Sequence, residues 1–294
     1  MAEACVDRLD ALLNRFPIRA RMFHSGVLCG STDFSRSGES GQLHLIRAGT
    51  LDIIHSGRSA GLHVDVPSLL FYPRAMPRRF VSDEPNGADL ACAELNFDGG
   101  AENPIVAALP EFVCLPLESI AGAGPVLAML FDEAFSDNCG RHVVVDRLFE
   151  VVLVQLLRHL METGESRGGM LAGMSHPKLR KALAAMHEQP AREWSLEGLA
   201  DIAGMSRSVF AGSFRDIVGC TPGAYLQGWR IRLAQQALRQ GRKLKMIAID
   251  VGYGSEAALS RAFKAQCGMG PREWRQSQEV IDAGGHGDSR AGWC

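Results

Sequence analysis

The chain has 294 residues, 46% hydrophobic and 22% charged, which is enough for about two ordinary domains and too apolar for global disorder. Its longest largely apolar run, Val151–Leu157, is far shorter than the roughly 18 residues of a membrane span. Met1–Arg15 has acids where an export signal needs an apolar core, so a cytoplasmic location with no membrane partner is expected.

The net charge of −2 divides unevenly. His176–Gln276 has 16 Lys/Arg against 8 Asp/Glu, and the rest of the chain 15 against 25. An acidic part joined to a basic part suggests two tasks, one of them facing a polyanion. The eight cysteines, Cys5, Cys29, Cys92, Cys114, Cys139, Cys220, Cys267 and Cys294, contain no C-x-x-C pair, so a zinc ribbon or thioredoxin-type motif has no support.

Up to about Glu118 the pattern is that of β-structure. Leu43–Ile46, Leu51–Ile54, Ser68–Tyr72 and Ala91–Phe97 are short apolar runs separated by Gly, Pro, Ser and Asp. Such spacing predicts a small barrel or sandwich over 1–120. From Ala123 the periodicity turns helical, and 121–165 reads as a helical dimerisation or relay segment. Within it, Val143–Met161 predicts a helix with a broad apolar face, which needs either the β-domain or a second subunit as partner. Residues 166–175 read as a linker, and 277–294 as a disordered tail.

Between these lies 176–276, where the sequence repeats itself with an offset of 49 residues. Ile202 matches Val251, Ser206 matches Ser255, Phe210 matches Leu259, and Phe214 matches Phe263. In the same register Arg215 matches Lys264, Gly219 matches Gly268, Pro222 matches Pro271, and Tyr225 matches Trp274. One supersecondary unit used twice is implied. In the first copy Ser195 caps a helix over Leu196–Ala203, Gly204-Met205 turns, and Ser206 caps a second helix to about Val218. This is a helix-turn-helix pattern. Phe210, Phe214, Ile217 and Val218 face inwards, leaving Arg207, Ser208, Ala211, Gly212 and Arg215 outside. In the second copy Ile247, Ala248, Val251, Leu259 and Phe263 face inwards, and Glu256, Ala257, Ser260, Arg261 and Lys264 outwards. A small, basic exposed face can enter a major groove about 12 Å wide. The 19 residues from Pro222 to Gln240 would span about 28 Å as a helix. That sets the two heads near the ~34 Å of one duplex turn. The alternative for the same pattern is an all-helical protein-binding module.

Trp194-Ser195-Leu196, Ala203-Gly204-Met205-Ser206, Phe214-Arg215, Ile249-Asp250-Val251-Gly252-Tyr253, Arg261-Ala262-Phe263-Lys264 and Gly270-Pro271 together resemble the AraC/XylS family of bacterial transcription regulators. The resemblance implies a sequence-specific regulator, most often an activator, that binds a double-stranded operator and works with RNA polymerase. By position, its base-reading residues fall on Arg207, Ser208, Ala211 and Gly212, and on Glu256, Ala257, Ser260 and Arg261. Gly212 departs from the long polar or basic side chain of many relatives. Arg261 is suited to a guanine edge, and Arg215 and Lys264 to phosphates.

Leu28-Cys29-Gly30, Leu43-His44-Leu45-Ile46, Pro67–Arg74, Ala91-Cys92-Ala93, Asn103-Pro104 and Leu109-Pro110 resemble the cupin-type sensor domain of one branch of that family, a branch that includes reactive-chlorine-responsive regulators. The implied fold class is α+β: a cupin-like β-barrel and helices, then an all-α domain of two helix-turn-helix units joined by a helix. Three signals compete for the sensor. They are a small organic ligand in the barrel, oxidation of Cys29 and Cys92, or a transition metal such as zinc on His44 with Cys92, aided by Cys29 or His63. The chain has no His-x-His, and Pro77-Arg78-Arg79 stands where branch relatives often have a second His. No cofactor is therefore expected, zinc being the exception to test. A cupin metalloenzyme of dioxygenase or isomerase type, or a metal-responsive regulator, is the alternative to a ligand- or oxidant-controlled homodimeric regulator.

Overall fold

A computed structural model describes residues 7–34, 40–57, 61–83, 86–164 and 168–284. The chain divides into two compact units, residues 12–176 and residues from 177 onward with the first eleven. The first unit begins within α1 (Asp10–Arg15). It continues through β1 (Ile18–Leu28), β2 (Gly30–Phe34), β3 (Gly41–Gly49), β4 (Leu51–His55), β5 (Leu62–Val64) and β6 (Ser68–Tyr72). Then come β7 (Arg78–Ser82), β8 (Ala88–Phe97), α2 (Pro104–Ala108), β9 (Val113–Pro116), α3 (Gly124–Ala134), α4 (Arg141–Thr163) and α5 (Gly169–Ser175).

All four predicted apolar runs lie in strands. The strands pair antiparallel into two sheets, β1-β8-β3-β6-β9 and β2-β7-β4-β5. Among the described residues neither sheet closes on itself, so the expected barrel is corrected to two open sheets that share one core. Phe34, Leu51, Ile53 and Phe80 come from one sheet, and Ile46, Leu70, Tyr72, Leu90 and Cys92 from the other. Alternation makes this possible: in β7, Arg78, Phe80 and Ser82 are buried while Arg79 is exposed.

The broad apolar face predicted for Val143–Met161 is largely satisfied inside this unit. Val145, Phe149, Val152, Leu153, Leu156, Leu157 and Leu160 of α4 are buried, and the helix packs on α3 and β1. Its acids have work there. β1 is an edge strand, and its Met22 and Ala20 N–H groups donate to Asp146 Oδ1 (2.6 Å) and Glu150 Oε1 (3.2 Å). Carboxylates thus occupy donors that an open edge would leave available for pairing with another chain.

The linker expectation needs revision. Residues 168–175 carry α5, which packs on α2 and α4 and buries Met170, Leu171 and Met174.

The second unit is all helix: α6 (Leu179–Glu188), α7 (Leu196–Ala203), α8 (Arg207–Val218), α9 (Pro222–Arg239), α10 (Leu244–Asp250), α11 (Glu256–Cys267) and α12 (Pro271–Gly284). The predicted bounds of α7 and α8 agree with those observed. α12 carries helix through Gly284, which corrects the first part of the expected tail; residues 285–294 lie outside the described residues. Among the described residues no helix is long and apolar enough to cross a membrane.

Candidate nucleic-acid interface and sensor core

The repeat of 49 residues is a repeat of structure. Ser206 caps α8 by accepting from Val209 N, and Ser255 caps α11 by accepting from Ala258 N. Both helices end on a left-handed glycine, Gly219 (φ 87°) and Gly268 (φ 77°), and a proline then opens the next helix, Pro222 and Pro271. The aromatic pairs behind them also correspond. Phe214 meets Tyr225 edge-on with ring centroids 5.7 Å apart, and Phe263 meets Trp274 the same way at 5.7 Å. Phe210, Phe214, Leu259 and Phe263 are fully buried, so α8 and α11 are each anchored along one stripe and free along the other.

The outward stripes are the predicted ones. Arg207, Ser208, Gly212 and Arg215 on α8 are exposed and Ala211 is half-buried; on α11 Glu256, Ala257, Arg261 and Lys264 are exposed and Ser260 is half-buried. Arg207 Nη1 lies 2.9 Å from Glu197 Oε1 of α7, an exposed ion pair that a DNA contact by Arg207 has to displace. Glu256 opens α11, where the positive end of the helix dipole favours its carboxylate.

The 18 residues of α9, about 27 Å of helix, carry both heads; α9 packs on α8, α10, α11 and α12. Trp229, Leu233 and Leu238 are buried as predicted. Arg230 was expected nearer the surface but is half-buried and donates to three carbonyls: Pro190 (2.7 Å), Arg192 (2.9 Å) and Gly252 (3.4 Å). Two of these precede α7 and the third lies in the turn between α10 and α11, so one side chain ties the two heads together. Gly252 (φ 82°) closes the tie, since a Cβ there would lie 2.7 Å from Ala191 Cα. Periodicity alone gives no sign of either contact.

The sensor candidates fare differently. His44 on β3 lies directly across from Cys92 on β8, both fully buried. His44 is ringed by Phe34 (5.2 Å) and Phe80 (4.9 Å). Arg78 of β7 reaches its Nε2 at 2.6 Å and also donates to Gln42. Burial and the neighbouring guanidinium hold the His44 imidazole well below its usual pKa, so it is neutral. Burial pushes the Cys92 thiol up, away from the reactive thiolate form, with Arg78 opposing only in part.

Cys29, by contrast, is exposed, just beyond the end of β1. In the β1–β8 ladder Leu28 pairs with Ala88 and His24 with Cys92, which puts Cys29 and Cys92 at least about 13 Å apart along the strands. A disulfide needs Cα atoms within about 7 Å, so the structure does not bring this pair together. His63 is exposed on β5 and paired with Asp52 (2.6 Å), which raises its pKa. Among the described residues no three His, Cys, Asp or Glu side chains are grouped to hold a metal. His44 and Cys92 face each other, and the Arg78 guanidinium on His44 Nε2 sets a positive charge where a cation would approach.

Sequence reasoning missed Arg78. The signal was present, because in the alternation of Arg78-Arg79-Phe80-Val81-Ser82 the first arginine takes a core position. Near it, His55 Nε2 and Tyr72 Oη are 2.8 Å apart in the same buried layer.

Comparison with known proteins agrees with this division. A family model described as Cupin matches residues 7–162, and one described as Helix-turn-helix domain matches residues 199–277. A putative AraC-like transcription regulator of Streptomyces lividans is 44% identical over 136 residues, 46% of this chain and 45% of that protein. The HTH-type transcriptional regulator AlkR of Acinetobacter baylyi is 36% identical over 180 residues, 59% of this chain and 58% of that protein. The RCS-specific HTH-type transcriptional activator RclR of Escherichia coli is 40% identical over 108 residues, 36% of this chain and 38% of that protein. The matched regions span about half the length of the first two relatives.

Proposed function

The chain belongs to the AraC-type regulators that carry an amino-terminal cupin domain, and on that premise we propose that it binds an operator in double-stranded DNA through α8 and α11 and regulates transcription there. The observation that carries this is the paired reader itself. Two serine-capped helices present small and basic faces, and α9 and the Arg230 tie hold them in one unit. In each, Arg207 and Arg261 are the arginines suited to a guanine edge, and Arg215 and Lys264 suit phosphates. The name of the activator RclR supports a positive sign of control, exerted through RNA polymerase. The cupin metalloenzyme is not favoured: the relatives carry regulator names, and Arg78 stands at His44.

The sandwich is the sensing unit in this reading, and its signal shifts the balance between arrangements of the chain that differ in DNA affinity. Val144 and Val151 of α4, seven residues apart, are exposed and flank the half-buried Leu148. That stripe supports a homodimer.

Selection of random oligonucleotides by the full chain at moderate ionic strength tests the central reading. Recovery of two short motifs about one helical turn apart is expected, and recovery of no preferred sequence overturns it.

A further inference from the structure

Arg78 is a cation placed where β7 presents its inner face, and every group that meets it is neutral. It donates to Met76 O (2.9 Å), to Gln42 Oε1 and to His44 Nε2 (2.6 Å). Its guanidinium carbon lies 3.7 Å from the centroid of the Tyr72 ring. Its Nε has no hydrogen-bond partner among the described residues, and neither has Nδ1 of His44. Only 4% of Arg78 is exposed. Burial lowers its pKa to about 10, which still leaves it charged at neutral pH. Neutral acceptors solvate such a charge without cancelling it, and an uncancelled buried charge is unfavourable.

Arg78 also lines a cavity, together with Phe34, Ser40, Gln42, Arg74 and Met76. The space is partly open and about 10 Å³ in volume, room for one body the size of a water molecule. Arg74 also lines it, and one of its Nη atoms donates to the Val106 carbonyl (2.5 Å). No acidic side chain lines it among the described residues, although the Ser40 hydroxyl donates to Glu94 Oε1 behind it.

We propose that this cavity is the binding site for one small monovalent anion, held by Arg78 with Arg74 beside it. The anion is either the carboxylate head of an organic acid or an inorganic ion of that size, and the space is too small for sulfate or a phosphate ester. The site has a route to a signal. Arg78 belongs to one sheet, whereas Gln42, His44 and Tyr72 belong to the other. An anion drawn to Arg78 competes with the bonds that join the two sheets, and so favours one packing of the sandwich over another. This rests on the reading of residues 12–176 as the sensing unit.

The test is calorimetric titration of the full chain with sodium formate, sodium acetate and sodium chloride, using sulfate as the background ion. Saturable binding of one equivalent is expected, weakened at least tenfold in Arg78→Met and in Arg74→Gln and unchanged in Arg261→Ala. Saturation by the two carboxylates without competition from chloride assigns an organic acid, and equal competition by chloride assigns an inorganic ion. If none of the three anions saturates, or both arginine variants bind like the wild type, the proposal is overturned. Arg74 is half-buried, so Arg74→Gln keeps the test decisive if Arg78→Met does not fold. Operator binding is measured on the same preparations. Intact DNA preference without anion binding defeats this site alone, whereas anion binding without DNA preference defeats the regulator reading.

Discussion

Two arginines point out from the reading helices, and their surroundings differ. Arg207 is engaged by Glu197 at 2.9 Å, while Arg261 has no such ion pair among the described residues. Arg261→Ala is expected to weaken operator binding by about 1–3 kcal/mol and to relax preference at one base position. Equal weakening on every DNA sequence would make Arg261 a phosphate contact instead. Exposed ion pairs contribute about 0.2–1 kcal/mol, so Glu197→Gln should strengthen binding by up to about fivefold in low salt, and an unchanged or weaker affinity would remove Glu197 as a competitor. In the core between the two sheets, His44 titrates below its ordinary value because it is buried beside Arg78. Its folded pKa is depressed, so its contribution to stability is complete above about pH 6.5 and is lost as pH falls below that. At pH 5.5 part of that contribution is therefore gone. Urea unfolding at pH 7.5 and 5.5 should show that loss in the wild type and a smaller one in His44→Gln.

At the scale of elements, the two helix-turn-helix units are similar in sequence but joined by contacts that the repeat does not encode. Gly252 and Gly219 both have positive φ, 82° and 87°, yet a Cβ at Gly219 meets nothing within 4 Å and one at Gly252 meets the Ala191 backbone. Gly219→Ala is expected to cost about 1 kcal/mol from backbone strain alone. Gly252→Ala should cost more and reduce operator affinity as well, because it parts the two heads. Equal losses of stability, with affinity intact in both, would show that the tie has no role in reading. On α4 the buried stripe is satisfied within the unit, leaving Val144 and Val151 outside. A paired Val144→Glu and Val151→Glu variant should sediment as a monomer at concentrations where the wild type is a dimer. A wild type that is itself monomeric removes the interface.

These elements show how far the sequence could be read. Spacing of 3.6 residues, Ser caps and Gly stops are local signals, and α7, α8 and α11 follow them. The linker expectation failed at α5 because Gly168 and Gly169 suggest a break, while burial of Met170, Leu171 and Met174 against α2 and α4 supplies the stability that the local sequence lacks. Arg78 escaped because an arginine is ordinarily read as surface. Only the alternation of its strand, taken together with its partners on the other sheet, shows it to be interior.

For the molecule as a whole, charge is the property that composition reports most directly. The excess of eight positive charges over His176–Gln276 should make operator affinity fall steeply with salt. Lys264→Ala should lower the slope of log affinity against log salt by about one while leaving sequence preference unchanged. What the sequence determined by itself is the double reader, because capping, turning and amphipathic spacing act between residues a few positions apart and survive in one dimension. The tertiary structure alone decided how the heads are tied, that Cys29 and Cys92 stand apart, and that a guanidinium sits against His44. Each of those depends on strands or helices distant in the chain meeting side by side, and register across a sheet is not written in the spacing of either partner.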